Sequence, residues 1–340
     1  MKITTLAATL LRPVIASFAV FSVLSLGSIA YAEEDSKESA QNRLPEEITI
    51  DYANWNPLSL IIHERGILDE EFKNDNVKIN WVFNPGGNKA MEFLLSKSAD
   101  IASSADICVL LSTINGNPIK SVMVVDYREY VILSKPGSEL KSLEDLKGKN
   151  VAITPATAPY AFTLKALDRA GINFKDIKII PLQHTDGKNQ LLRGSVDAWS
   201  GGDPNWAQAE LEGAKPLYLN RDFNEPNVLS VRKEFLEQYP EAVYRVMSAY
   251  EKARKWANEN HADYVALIVK RTKVKPDIAE PMLKKNNFNV GTIDETAIHS
   301  LVETGRVFQK AGIIKEDVDI EKAVKNIYDN SYYEEFTKRL

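Results

Sequence analysis

Apolar and polar residues alternate through Ile48-Thr49-Ile50-Asp51-Tyr52, the period of a strand with one covered face. The wider period of a helix follows from Leu58 to Arg65, with Gly66 placed to stop it. Val77 to Phe83 alternates again, Asn88 to Leu95 is helical, and Asp100 to Ser103 reads as a short strand. The same order returns downstream. Asn150 to Ile153 is a strand, Tyr160 to Ala170 a helix ended by Gly171, Ile177 to Leu182 a strand, and Lys188 to Leu192 a helix.

One seven-residue stretch sharpens this echo. Leu94-Leu95-Ser96-Lys97-Ser98-Ala99-Asp100 aligns with Leu191-Leu192-Arg193-Gly194-Ser195-Val196-Asp197. The same offset pairs Ser103 with Ser200 and Asp106 with Asp203. Two α/β units in series predict two lobes, each a mostly parallel sheet flanked by helices. The rest of the chain is helical by period: Pro240 to Asn258, His261 to Val269, Asp277 to Lys284, Asp294 to Lys310 and Asp319 to Tyr328. Aspartates at or near these starts suit helix N-termini. The expected layout is lobe 1 over 47–126, lobe 2 over 127–230, and C-terminal helices over 231–340 that return to lobe 1.

Ligands of open α/β sheets bind beyond the carboxyl ends of strands. Four segments occupy such ends: Ala53-Asn54-Trp55-Asn56, Ser103-Ser104-Ala105-Asp106, Thr154-Pro155-Ala156-Thr157 and Ser200-Gly201-Gly202-Asp203. Each lobe supplies two. Thr157 is placed to cap the helix it precedes, with Pro159 in the first turn, and Ala158 and Tyr160 beside it. Ser104 is placed to cap a helix over 106–111. A helix N-terminus with a hydroxyl is a ready anion site, although simple capping needs no ligand. Asn54 and Asn56 offer amide donors, and Trp55 and Trp199 are either walls of a crevice or core. Asp106 and Asp203 fit first-turn and capping roles, and a crevice-facing Asp106 would attract an amine.

The N-terminus changes the picture of where the chain works. Lys2 and Arg12 precede an apolar run from Val14 to Ile29, ending in Ala30-Tyr31-Ala32, the pattern of an export signal cut after Ala32. Residues 33–46 form a polar leader. Removing 1–32 takes two of the 42 basic residues and leaves 40 against 47 acidic ones, a formal −7. That balance speaks against nucleic acid as a partner. The single cysteine, Cys108, leaves no internal disulfide and lies in an apolar helical run that reads as buried structure. The four histidines, His63, His184, His261 and His299, have no metal-ligand spacing, and Pro85-Gly86-Gly87-Asn88 lacks the lysine of a phosphate loop. No cofactor is expected.

Over residues 47 to 260 the chain resembles the aliphatic-sulfonate-binding proteins of ABC importers, within a sulfonate, nitrate and taurine group. The resemblance rests on Tyr52-Ala53-Asn54-Trp55-Asn56-Pro57, on Gly87 to Leu94, on Asn115 to Val122, on Ser142 to Ala152, on Arg193 to Trp199 with Asp203-Pro204, and on Phe235 to Glu241. It implies a two-lobed periplasmic binding protein of type II, with hinge crossings near 125–130 and 217–231. It implies a monomeric periplasmic receptor, not an enzyme, that closes on a small sulfonate. The partners it implies are an inner-membrane permease and its cytoplasmic ATPase. Asn54, Ser104, Thr157 and the residues beside them would touch the ligand. Two departures stand out: Asp106 replaces a small residue, and Gly201-Gly202 replaces bulkier ones. Together they suggest a wider pocket with an added carboxylate, suited to an amino-sulfonate such as taurine. Nitrate, bicarbonate or a pyrimidine in the same clamp, or a desulfinase-like enzyme using Cys108, are the rival readings.

Overall fold

The computed structural model describes residues 43–339 apart from 224, 287, 289 and 290. The export signal and its cleavage site lie outside the described residues.

The first lobe opens with β1 (Glu47–Tyr52), α1 (Pro57–Glu64), α2 (Ile67–Glu71), β2 (Lys78–Phe83), α3 (Gly87–Leu95), β3 (Ile101–Ala105), α4 (Asp106–Ile114) and β4 (Ile119–Arg128). The chain then crosses into the second lobe: β5 (Val131–Ser134), β6 (Asn150–Ile153), α5 (Ala158–Arg169), β7 (Lys178–Pro181), α6 (His184–Leu192), β8 (Ala198–Gly201), α7 (Asn205–Leu211) and β9 (Lys215–Leu219). It returns as β10 (Glu225–Arg232). The helices α8 (Lys233–Gln238), α9 (Pro240–Glu259), α10 (His261–Thr272), α11 (Pro276–Leu283), α12 (Glu295–Lys310), α13 (Ile320–Ile327) and α14 (Asn330–Arg339) follow. Local chemistry sets several boundaries. Asn56, Asp294 and Asp319 each accept a backbone N–H of the first turn they cap. Lys97 and Gly194, partners in the sequence echo, both take left-handed backbone where α3 and α6 end.

Each lobe holds one five-stranded sheet, ordered β2-β1-β3-β10-β4 and β7-β6-β8-β5-β9. The two orders are the same pattern written twice. In each sheet the first three strands are parallel, and the strand arriving from the other lobe pairs antiparallel on both of its sides. Four of the five strands in each sheet thus run the same way, as the expectation of mostly parallel sheets has it, and the one reversed strand makes each sheet mixed. The cause is topological, because β5 and β10 enter by the interlobe crossings and not by a helical return.

Ile48, Ile50, Leu229 and Val231 of the first sheet pack against Leu58 and Ile61 of α1 and against Val243, Val246 and Tyr250 of α9. A second core runs across both lobes. It joins Leu110 of α4 to Phe162 and Leu164 of α5 through Leu301 and Phe308 of α12. Helix α12 thus touches α4 on one side and α5 on the other.

Candidate functional site

A cleft of about 490 Å3 opens between the lobes. Its first wall is made by the loops after β1 and β2 (Asn54, Trp55, Phe83, Asn84, Pro85) with Gly87 and Cys108 behind them. Its second wall is made by Thr157, Ala158, Gln183, His184, Asp203 and Gln208. The floor is the first crossing, Arg128-Glu129-Tyr130, with Asn227 from β10.

A buried polar network beneath the first wall holds its loops in place. Asp51, fully buried at the end of β1, accepts Ser103 N–H at 2.9 Å and Asn84 Nδ2 at 2.6 Å. Asn84 also donates to Ser103 O and accepts Gly86 N–H, which fixes the turn into α3. Asn56 Nδ2 donates to Ser103 Oγ at 2.9 Å. One carboxylate therefore ties β1 to β3 and to the loop after β2. Burial pushes it up to about 7, against the hydrogen bonds from Asn84 and Ser103 that favour its ionised form.

The second wall is built around the start of α5. Thr157 occupies the cap position, but its hydroxyl donates backward to Thr154 O at 2.7 Å. No side chain caps the first amides of this helix. Ala156, at φ 55°, makes the turn that brings the loop round. Thr154 Oγ1 donates to Leu182 O at 2.8 Å and lies 3.1 Å from His184 Nδ1. Its one proton is spent on Leu182, so Nδ1 carries the imidazole hydrogen and Nε2 is left as an acceptor. Desolvation pushes His184 down to about 4, so the ring is neutral at ordinary pH. On the floor, Arg128 is neutralised at once by Asp126, 2.9 Å away, which Asn227 also engages.

Of the residues singled out by sequence, Asn54, Trp55, Thr157, Ala158 and Asp203 stand in the cleft wall. The others are placed elsewhere. Asn56 and Ser103 belong to the buried network below it. Ser104 sits behind Gly87, 3.0 Å from where a side chain there would begin, and its hydroxyl donates to Ala105 O. It caps nothing; Ala105 is the cap of α4. Asp106 faces away from the cleft and accepts Tyr328 Oη at 3.0 Å. Burial first, and then Glu225 beside it, holds that carboxyl well above its usual range. It is therefore not the added carboxylate of the pocket. Tyr160 packs edge-on against Phe174 and Phe308. Trp199 is core, and Gly201 is small because that indole lies over it, not to widen a pocket. Asp203 caps α7 through Ala207 N–H and pairs with Lys285 at 3.0 Å.

Asn84, Gln183 and His184 escaped the sequence reading, although they follow β2 and β7 and obey the same strand-end rule. Arg128, Glu129 and Tyr130 also escaped, because a crossing carries no periodic signal. Cys108 does reach the cleft, but burial, helped by Asp106, pushes its thiol up to about 12. Among the described residues no cluster has the make-up of a metal site, and no helix is long and apolar enough to cross a membrane.

A family model described as NMT1/THI5 like matches residues 72–263. An aliphatic sulfonates-binding protein of Escherichia coli (strain K12) is 24% identical over 315 residues, 91% of this chain and 96% of that one. A protein of the same name from Bacillus subtilis (strain 168) is 26% identical over 81% of this chain and 85% of its own length. Among solved structures, the alkanesulfonate-binding protein SsuA from Xanthomonas axonopodis pv. citri, bound to MOPS, superposes with a TM-score of 0.76. It is 22% identical and covers 83% of this chain and 98% of its own. The fold is that of the two-lobed periplasmic binding proteins. It is shared by the nitrate-binding protein NrtA at 14% identity and the desulfurization enzyme DSZB at 15%, so the fold by itself selects no chemistry.

Proposed function

The chain belongs to the NMT1/THI5-like family, and from that footing we propose that it is the solute-binding receptor of an ABC importer, capturing a small aliphatic sulfonate between its lobes. The observation that carries this reading is the uncapped start of α5 at Thr157 and Ala158 in the wall of an interlobe cleft. Pro159 has no N–H and those of Tyr160 and Ala161 go to Thr157 O, so the donor left at this end is the Ala158 N–H, which with the helix dipole suits an oxyanion without a formal counter-charge. Trp55, Phe83 and Tyr130 offer the apolar surface that an alkyl tail would cover. Export to the periplasm, a monomeric state, and delivery to a permease driven by a cytoplasmic ATPase belong to the same reading. So do the contacts from Asn54, Trp55, Thr157, Ala158 and Asp203.

Two rivals fit less well. Nitrate has four atoms and would leave most of a 490 Å3 space to water. A desulfinase would need a thiolate, whereas burial holds Cys108 protonated.

Isothermal titration of the mature chain with ethanesulfonate, propanesulfonate, taurine, nitrate and sulfate tests the proposal. Saturable heat with at least one sulfonate, tighter than with nitrate or sulfate, is expected. Silence with every sulfonate would end this reading.

A further inference from the structure

A sealed group of charges outside the cleft lies where the two lobes meet. Asp106 opens α4 in the first lobe, and Glu225 opens β10, where the second crossing enters the first sheet. Both are 0% exposed. Lys165, on α5 of the second lobe and 11% exposed, donates to Glu225 Oε1 at 2.8 Å. Tyr328, just past α13, donates to Asp106 Oδ2 at 3.0 Å. Thr304 of α12 sets a hydroxyl 3.5 Å from Glu225, but its proton goes to Ser300 O at 2.9 Å. Tyr127 of β4 and Cys108, on the same helix as Asp106, are the further titratable groups that face it.

Two carboxylates bring four acceptor oxygens, and these donors reach two of them. Asp106 Oδ1 and Glu225 Oε2 are buried with no partner among the described residues. With both acids ionised, the site would hold two negative charges against one positive, sealed from water, with two bare acceptors. A buried charge without compensation is strongly disfavoured, and the group neutralises instead. One proton removes the excess charge and puts a donor on a bare oxygen. Glu225 has the lysine, so the proton belongs on Asp106, whose partner is a phenol. Burial first, and then the Glu225 charge, push that carboxyl well upward, in the same sense. Burial also keeps Tyr127, Tyr328 and Cys108 neutral.

We propose that Asp106 keeps a proton at neutral pH, and that this proton links acidity to closure of the lobes by leaving Lys165 to Glu225 alone. Helix α5 begins at Ala158 in the cleft wall and carries Lys165 about two turns on. The Lys165–Glu225 contact therefore holds the helix that walls the cleft in the second lobe against a strand of the first. Loss of the proton sets a second buried anion beside Glu225, in competition for the one lysine. Parting the joint admits water and relieves that charge, so ionisation favours the open arrangement. The closed arrangement holds the proton more tightly, and its share falls as pH rises through the titration of Asp106.

Infrared difference spectra read the proton and need no ligand, so the outcome is independent of the receptor reading. Wild type minus Asp106→Asn at about pH 7 should show the carbonyl stretch of a protonated carboxyl. Asp51 titrates nearby but is common to both proteins and cancels. The signal of an ionised carboxylate in its place overturns the inference. Should Asp106→Asn not fold, Glu225→Gln gives the second reading. The lysine then serves Asp106, so the acid band should be lost relative to wild type, and a band that stays overturns the inference too. Lys165→Met should gain the band of a second protonated carboxyl, because Glu225 loses its counter-charge. Solution scattering reads the joint. The ligand-free wild type should grow in radius of gyration over the pH range in which its Asp106 band fades, and Asp106→Asn should not. Lys165→Met should be wider than wild type already at about pH 7, and Lys165→Arg should match wild type. A radius that stays flat while the band fades, or a Lys165→Met protein of wild-type radius, overturns the link to closure. So does an acid band that persists unchanged to about pH 10, which would make the proton a fixed part of the core.

Discussion

Asp51 shows at the scale of one residue how the cleft is held. Its carboxylate receives donors from Asn84 and Ser103, so one buried group fixes β1 against β3 and the loop after β2. The geometry favours the ionised form and the burial opposes it; burial prevails, and the group titrates near 7. The folded-state value therefore lies above the unfolded one of 3.8. Between the two the folded protein binds more protons, so the contribution of Asp51 to stability is fullest below about 4 and falls as pH rises toward 7. Asp51→Asn removes this titration and sets an amide donor against the Asn84 donor. The stability gap between wild type and variant should be widest near pH 4 and narrow by up to about 4 kcal/mol by pH 8. Urea unfolding at the two pH values measures it, with the other carboxylates cancelling in the difference. A gap that does not change with pH would mean that Asp51 stays in one protonation state throughout.

Trp199 controls the packing of β8 against α6. Its indole is fully buried, and it occupies the space where side chains at Gly187 and Gly201 would begin, at 2.7 and 2.0 Å. Neither glycine has left-handed backbone, so both are small for room and not for conformation. Gly201→Ala should destabilise the protein by about 2–3 kcal/mol, the upper range of overpacking, because the ring has no vacant volume to enter. Denaturation followed by tryptophan emission reads this, and a loss under about 0.5 kcal/mol would show that the indole can move. This element also marks how far the sequence could be read. The alternation in β1, the helical period of α9 and the echo between α3–β3 and α6–β8 were visible because each is periodic along the chain. Strand β5 is four buried residues in a row and β10 is nearly as covered, so neither alternates. Their antiparallel roles depend on a crossing that no local pattern announces. Candidate site residues were legible where a loop follows a strand, as at Asn54 and Thr157. They were misplaced where the next side chain turns into the core, as at Ser104 and Trp199, since one residue of rotation exchanges wall for interior.

At the scale of the whole molecule the lobes are joined three ways. The two chain crossings form the cleft floor, and α12 packs against both α4 and α5. The third tie lies where α7 meets the C-terminal helices. There Lys285 pairs with Asp203 at 3.0 Å and lies 3.5 Å above the Trp206 ring. Gln208 Nε2 beside it donates to Thr272 O at 2.7 Å. Asp203, Trp206 and Gln208 belong to the second lobe, whereas Thr272 ends α10 and Lys285 lies in the turn after α11, both on the side of the first lobe. A hinge opening that parted the lobes here would break these contacts, so they should bias the hinge toward closure with any guest. Lys285 is 27% exposed and Asp203 12%, so solvent screens the pair. The ion pair and its aromatic partner together are worth about 1 kcal/mol. Lys285→Ala should therefore weaken binding of the cognate ligand by roughly 5-fold. It should also enlarge the radius of gyration of the ligand-free protein in solution scattering, while leaving the ligand-bound radius at its wild-type value. Added salt should weaken the wild type toward the variant and change the variant little. If the ligand-free radius stays at its wild-type value while affinity falls, the lysine acts on the ligand through Asp203 and not on the balance between open and closed.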